Sequence, residues 1–319
     1  MTMTADRVRT ETALVQLGTA LKDAGYSFTT VTPATQERVN RRPGNAWARD
    51  LRDVFGWSRP FAPDLLPTRL VELMDAAGVL ERAGDDWRSR VRFSSYDGEL
   101  FVHSAFPTTT PDAVFFGPDT YRMADAVLAH LQGREGPIRR AVDVGCGTAA
   151  GAVAVAKRAP GAEVLAVDIN PTALCYARVN VALAGTAAVR PCRSDLLDDV
   201  EGTFDVILAN PPFMVDPAGR TYRDGGGPTG HRLSLAILDA AGQRLRPGGS
   251  LVLFSGTGIV AGRDPLREAA ALRLGGTGLA WTYREVDPDV YGEELDGPAY
   301  AEAERIAVVV LTATRPRRG

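Results

Sequence analysis

Four short groups of residues in this chain have types and spacings that could do chemistry. The first is Asp143-Val144-Gly145-Cys146-Gly147, which closes the apolar run RAVDV and precedes an alanine-rich stretch. Glycines at such a point let a strand turn sharply into a helix and let a ligand come close to the backbone. The helix that follows would offer unpaired N–H groups to a carboxylate. The second is Asp168, the last residue of AEVLAVD, 25 residues beyond Asp143. That spacing suits hydrogen bonds to ribose hydroxyls in a doubly wound sheet. The third is Asp195, in the loop Ser194-Asp195-Leu196-Leu197. The fourth is Asn210-Pro211-Pro212-Phe213, directly after the apolar run FDVILA. It sets a carboxamide at the carboxyl end of a strand, where ligands bind in parallel sheets. A glycine-rich turn by itself is shared with nicotinamide oxidoreductases, but no hydride-transfer constellation accompanies this one.

These groups need a particular scaffold. Strand candidates at 140–144, 162–168, 186–192, 204–210 and 250–256 alternate with helical stretches at 149–158, from Asn170-Pro171 onward, and at 231–245. Alternation of that kind builds a parallel sheet with helices on both faces. Two more strand candidates, 279–287 and 305–313, would close the sheet as an antiparallel pair. The expected architecture is an α/β fold with a seven-stranded, doubly wound, mostly parallel sheet.

Ahead of it stands a different kind of chain. Leu14, Leu17 and Leu21 share one helical face, which Gly25 would end. Residues 68–80 read as a short amphipathic helix, followed by strand-like runs 87–94 and 100–106. Helices followed by a hairpin are winged-helix-like, a unit that serves recognition or assembly. Arg38, Arg41, Arg42, Arg49 and Arg52 read as a solvated helix face with Asp50 and Asp53 as neighbours, or as a contact for an acidic partner. The expected division is an accessory domain over 1–114, a connecting helix and linker over 115–136, and a cofactor domain over 137–319.

Composition narrows the function classes. A formal charge of −3 gives no basic excess for gripping long nucleic acid, and a local patch stays open. Three cysteines and three histidines are too scattered for a disulfide framework or a zinc site, so no metal is expected. Neither a membrane-spanning run nor a signal peptide is evident, which points to the cytoplasm.

The succession of turn, ribose acid, loop acid and NPPF resembles class I S-adenosylmethionine-dependent methyltransferases over about residues 115–314. It is most similar to the NPPY/F branch, which includes the HemK-like protein glutamine N5-methyltransferases. The linker FFGPDTYRM resembles the segment ahead of the catalytic domain in those enzymes. The resemblance implies S-adenosyl-L-methionine as cofactor. It assigns the cofactor to Asp143, Gly145, Cys146, Gly147, Asp168, Ile169, Asp195, Leu196 and Asn210. Asp168 would receive the ribose hydroxyls and Asp195 the adenine amino group. It assigns the acceptor to Asn210, Pro211, Pro212 and Phe213. Asn210 and the Pro211 carbonyl would orient a planar NH₂, and Phe213 would pack on its plane. One departure is Ala149, where the family often has glycine.

Some residues stay open on this reading. Tyr222, Arg223 and Asp224, before Gly225-Gly226-Gly227, form either a mobile lid facing substrate or a turn that needs its glycines. His231 lines the pocket or starts a helix at the surface. Cys146 has no His–Asp arrangement that would make it a nucleophile, so packing explains it better. The expected reaction is methyl transfer to a planar conjugated nitrogen, first a protein glutamine amide. A small metabolite ranks close behind, then adenine or guanine in nucleic acid, then a noncatalytic cofactor-binding assembly protein. A homodimer is left open.

Overall fold

A computed structural model describes residues 2–317, with the side chains of residues 6–317. The chain forms two compact units. The first holds residues Met1–Tyr121, Gly147–Ala150 and Pro171–Ala187, and the second holds Arg122–Cys146, Gly151–Asn170 and Ala188–Gly319.

In the first unit, helix α1 (Thr2–Asp23) buries Leu14, Leu17 and Leu21 completely, as their spacing requires. Each such burial stabilises the fold by about 1.5–3 kcal/mol. Helix α2 (Pro33–Asn40) is capped by the Thr32 side chain, and α3 (Leu51–Phe55) by Asp50, which accepts a hydrogen bond from the Asp53 N–H at 2.8 Å. The arginine stretch is therefore not one helix face. Its middle, residues 41–50, is a loop containing Pro43-Gly44, and three of the five arginines have local partners. Arg41 pairs with Glu37, Arg49 with Asp53, and Arg52 donates to the Ser27 carbonyl.

After α4 (Thr68–Ala76) come two hairpins, β1 (Leu80–Ala83) with β2 (Asp86–Ser89) and β3 (Val91–Tyr96) with β4 (Glu99–Ser104). The expected strand 87–94 thus breaks at Arg90, whose N–H bonds to the Val79 carbonyl instead of continuing either ladder.

The second unit is organised by a seven-stranded sheet. Helix α5 (Pro118–Gln132) leads to β5 (Arg140–Val144), α6 (Ala150–Arg158) and β6 (Glu163–Asp168). Then follow α7 (Pro171–Leu183), β7 (Val189–Arg193), β8 (Phe204–Ala209), α8 (Arg232–Arg244), β9 (Leu245–Ile259), α9 (Pro265–Leu274), β10 (Ala280–Asp287) and β11 (Arg305–Thr314). The spatial order is β10-β11-β9-β8-β5-β6-β7. Strands β5 to β9 run parallel, and β11 runs antiparallel to both β9 and β10. Strand β8 is buried at every position, as a central parallel strand covered on both faces must be. Val142, Leu165, Phe204, Ile207, Leu251 and Leu311 belong to one core cluster on this sheet.

Helix α7 belongs by its contacts to the first unit. Arg178 pairs with Glu11 of α1 at 2.7 Å, and the Asn180 carboxamide bonds both the N–H and the carbonyl of Val102 on β4. No helix of the described residues is long and apolar enough to cross a membrane.

Candidate active site

The strand order reverses between β5 and β8, and ligands bind at the carboxyl ends of strands at such a reversal. The register makes this concrete. Val144 on β5 lies opposite Val167 on β6 and Ala209 on β8. Gly145, Asp168 and Asn210 each follow one of these residues directly. They therefore stand in a row along one sheet edge, with neighbouring strands about 4.8 Å apart.

The β5 end is shaped for close approach. Gly145 takes φ +67°, and a Cβ there would meet nothing within 4 Å. The Cys146 N–H donates to the Val167 carbonyl at 3.0 Å, tying the turn to β6. Gly147 takes φ +51° and Ala149 φ +60°. Both lie in the left-handed region that favours glycine. Asp143 is buried, and its Oδ2 accepts the Ala152 N–H at 2.9 Å. Gly151 leaves the room for it, because a Cβ there would press on Asp143 Oδ2 and Leu208. Burial pushes the Asp143 carboxyl up to about 7, the Ala152 N–H opposes the rise, and the charge of Asp168 adds to it. Burial also raises the Cys146 thiol, reinforced by Asp168 and Asp143, so it is no thiolate nucleophile.

At the β6 end, Asp168 is half-buried and its Oδ1 accepts the Asn170 N–H at 2.9 Å. The Ile169 side chain is 51% exposed, an unusual position for a large apolar group. Ser194 donates its N–H to the Asp168 carbonyl at 3.3 Å, which holds the loop carrying exposed Asp195 and left-handed Leu196 beside this strand end. An open glycine cradle, a half-buried acid, an apolar side chain turned to solvent and an exposed second acid suit the parts of S-adenosylmethionine. The residues present fit that cofactor.

The β8 end carries the acceptor candidates. Asn210 is half-buried, and among the described residues its carboxamide has no hydrogen-bond partner. Pro211 is buried and Pro212 half-buried. The Phe213 ring is buried against Gly256 of β9, where any Cβ would enter the ring.

The segment 223–231 is laid on this corner backbone to backbone. The Met214 N–H donates to the Arg223 carbonyl at 3.0 Å, and the Gly225 N–H donates to the Met214 carbonyl at 2.9 Å. A Cβ on Gly225 would collide with the Gly230 carbonyl, and one on Gly230 (φ +74°) with the Phe213 carbonyl. The glycines are thus required by contact with the corner.

Their polar neighbours are engaged within the protein. Arg223 pairs with Glu294 at 2.5 Å and lies 3.9 Å from Asp216. Asp224 Oδ1 accepts the Gly226 N–H at 3.1 Å. Tyr222 lies under the Arg220 guanidinium, 5.9 Å from ring centroid to Cζ. Arg220 grips Asp216 through both carboxylate oxygens and holds that acid down at about 2. His231 is only 3% exposed, so the surface alternative for it is overturned. Burial lowers it to about 4, against Asp264 and the Gly256 carbonyl, and among the described residues its Nε2 has no hydrogen-bond partner. It is neutral at pH 7 and packs behind the corner.

One contributor was missed in the sequence. The connection between β10 and β11 brings Tyr300 and Tyr291 to the corner. The Val215 N–H donates to Tyr300 Oη at 3.0 Å, and the Tyr291 ring centroid lies 6.1 Å from that of Phe213. The only sequence signal was an irregular stretch of some 17 residues between two strands, long enough to suggest function.

Comparison with known proteins adds the family context. The Methyltransferase small domain family matches residues 109–261. A release factor glutamine methyltransferase of Deinococcus radiodurans is 32% identical over 216 residues, covering 65% of this chain and 73% of that protein. One from Moorella thermoacetica is 30% identical over 268 residues, covering 79% and 90%. Some other curated relatives align over about half their own length, 51% in one case. Among solved structures, a SAM-dependent methyltransferase from Agrobacterium tumefaciens aligns over 79% of this chain and 80% of its own, at 21% identity and a TM-score of 0.46.

Proposed function

We propose a protein glutamine amide as the methyl acceptor of this chain, which belongs to the family of the release factor glutamine methyltransferases, S-adenosylmethionine-dependent enzymes of class I. S-adenosylmethionine, when bound, supplies a methyl carbon on a sulfonium, an electrophile that needs alignment more than activation. The chain's own residues supply the rest. The Gly145 cradle and Asp143 hold the methionine end, Asp168 holds the ribose hydroxyls, and Ile169 and Asp195 hold the adenine. The acceptor NH₂ donates one hydrogen to Asn210 Oδ1 and one to the Pro211 carbonyl. These two acceptors fix the nitrogen's direction, favour its pyramidal form and stabilise positive charge developing on it. No strong base is needed beforehand, and His231 is buried and poorly basic. The extra proton leaves to water after transfer.

The observation that carries this reading is the half-buried, unpartnered Asn210 carboxamide beside Gly145 at the strand reversal. A polypeptide acceptor is favoured over nucleic acid by charge. In the connection that reaches the corner, residues 288–304, every charged residue is acidic, and phosphates would meet like charge there.

The test uses tritiated-methyl S-adenosylmethionine with a recombinant bacterial peptide release factor as acceptor. Label should enter the release factor on a glutamine side chain. In Asn210→Ala, kcat should fall by about 10²–10³, with cofactor Kd within two-fold of the parent, as for removal of one preorganised transition-state partner. Label appearing only in nucleic acid or small molecules, or equal losses in kcat and cofactor affinity, would sink the reading.

A further inference from the structure

The connection between β10 and β11, residues 288–304, is built onto the acceptor corner at several points. The Val215 N–H donates to Tyr300 Oη at 3.0 Å, and the Tyr300 hydroxyl donates to Met214 Sδ at 3.6 Å. Glu294 pairs with Arg223 at 2.5 Å. The Val290 N–H donates to the Ile306 carbonyl at 2.8 Å and closes the base of the connection. These ties make the segment a fixed part of the corner and not a loose loop.

Tyr291 stands next to that base, with φ 55° and ψ 38°. A left-handed tyrosine is disfavoured by its own backbone, and glycine would take the position more easily. The ring is only half-buried, so filling a core does not explain it. It is inclined at 59° to the Phe213 ring, with centroids 6.1 Å apart. That is an ordinary separation for a tilted aromatic pair. The two rings therefore meet as adjoining walls, Phe213 inside the corner and Tyr291 at its rim.

We propose that Tyr291 is an acceptor-specificity residue, whose ring packs on the aliphatic stem of the side chain that delivers the amide to Asn210 and Phe213. This rests on the protein-amide reading above. A glutamine presents its amide on two methylenes, and an asparagine on one. A rim wall that covers the stem rewards the longer side chain. It contributes to acceptor binding and leaves the reacting nitrogen to Asn210 and Pro211.

Two variants separate this role from a structural one. Tyr291→Gly removes the ring and also relieves the left-handed backbone, so it is not expected to unfold the segment. Tyr291→Phe keeps the wall. The measurements are steady-state methylation of a recombinant peptide release factor, the same acceptor with its target glutamine changed to asparagine, and cofactor Kd by calorimetry. In Tyr291→Gly, KM for the release factor should rise about ten-fold, the scale of uncovering two methylenes. Its kcat and cofactor Kd should stay within about two-fold of the parent, and its preference for glutamine over asparagine should shrink. Tyr291→Phe should behave as the parent. An unchanged KM and glutamine preference in Tyr291→Gly overturn the proposal, as does a joint loss of kcat and cofactor affinity. Failure of the parent enzyme to label the release factor overturns the protein-amide reading and this inference with it. Normal labelling by the parent with an indifferent Tyr291→Gly overturns this inference alone.

Discussion

The two ends of the candidate site are assembled in different ways. The cofactor end is made from consecutive strand termini. Gly145, Asp168 and Asp195 each sit within two residues of the end of β5, β6 or β7, and their turns are held by contacts to their own loops or the next strand. The acceptor end is made from segments distant in the chain. Residues 210–216, the glycine segment 223–231, Gly256 on β9 and the connection 288–304 meet at one corner. Strand-end sites tolerate drift in the surrounding loops, because the sheet fixes them. A corner made of stacked backbones does not, because every contributor must be present at once. The acceptor end should therefore fail by geometry, and the cofactor end should respond in a graded way to charge.

The sharpest way to break this contrast is a single methyl at the acceptor corner. In Gly230→Ala the new Cβ would overlap the Phe213 carbonyl, and φ +74° would be strained as well. In Gly225→Ala the overlap is with the Gly230 carbonyl. Neither obstacle is a flexible side-chain end, so the corner itself must move. A misplacement of about 1 Å can cost 10²-fold in rate. Each variant should lose at least about 100-fold in kcat/KM while keeping cofactor Kd within a few-fold. Calorimetric titration beside radiolabel transfer measures both. Equal collapse of cofactor binding would mean that the two ends are not separable.

The same contrast explains what could be read from the sequence. The succession of strands and the positions of Asp143, Gly145, Asp168 and Asn210 followed from apolar runs punctuated by glycine and acid, since a parallel sheet fixes where a strand end must lie. Leu14, Leu17 and Leu21 were legible for a similar reason, because helical period alone defines their face. The function of Gly225 and Gly230 was not legible. A glycine required by a neighbouring backbone looks the same as one required by a turn. Tyr291 was hidden for a related reason, since its relation to Phe213 exists only once β10 and β11 close the sheet. The burial of His231 was not legible either, because it comes from tertiary packing, and its partners Gly256 and Asp264 lie outside its own helix.

At the cofactor end the graded response should come from Asp143. Its carboxyl is raised to about 7, so in the free protein it is mostly protonated below that pH. A cationic amino group favours the ionised form. Cofactor affinity should therefore weaken as pH falls through about 7, approaching ten-fold per unit where protonation dominates. The stability sign is the opposite. With its folded value above the unfolded one, this carboxyl binds more protons folded than unfolded between the two, so its contribution to stability declines as pH rises through that window. Asp143→Asn should flatten the affinity profile and bind cofactor about ten-fold more weakly at pH 8, where the ionised partner is lost. It should also melt higher than the parent at pH 8. Thermal denaturation and cofactor titration from pH 6 to 8 measure both, and a pH-independent parent affinity would refute the assignment of Asp143.

The smallest expected effect tests how much strain the cofactor turn carries. Ala149 is fully buried at φ +60°, a conformation that costs an L-residue roughly 1–2 kcal/mol. Glycine removes that cost, but it adds roughly 0.5–1 kcal/mol of chain entropy to the unfolded state and gives up the contacts of one methyl. The terms nearly cancel, leaving Ala149→Gly more stable by about 0.5 kcal/mol, or a degree or two in Tm. Methyl transfer and cofactor Kd should change by less than two-fold, because the turn keeps its conformation in both forms. If Ala149→Gly melted several degrees lower, the methyl would be supporting the turn more than the backbone strains it. The alanine would then be an adaptation of this chain's cofactor turn and not a tolerated departure from glycine.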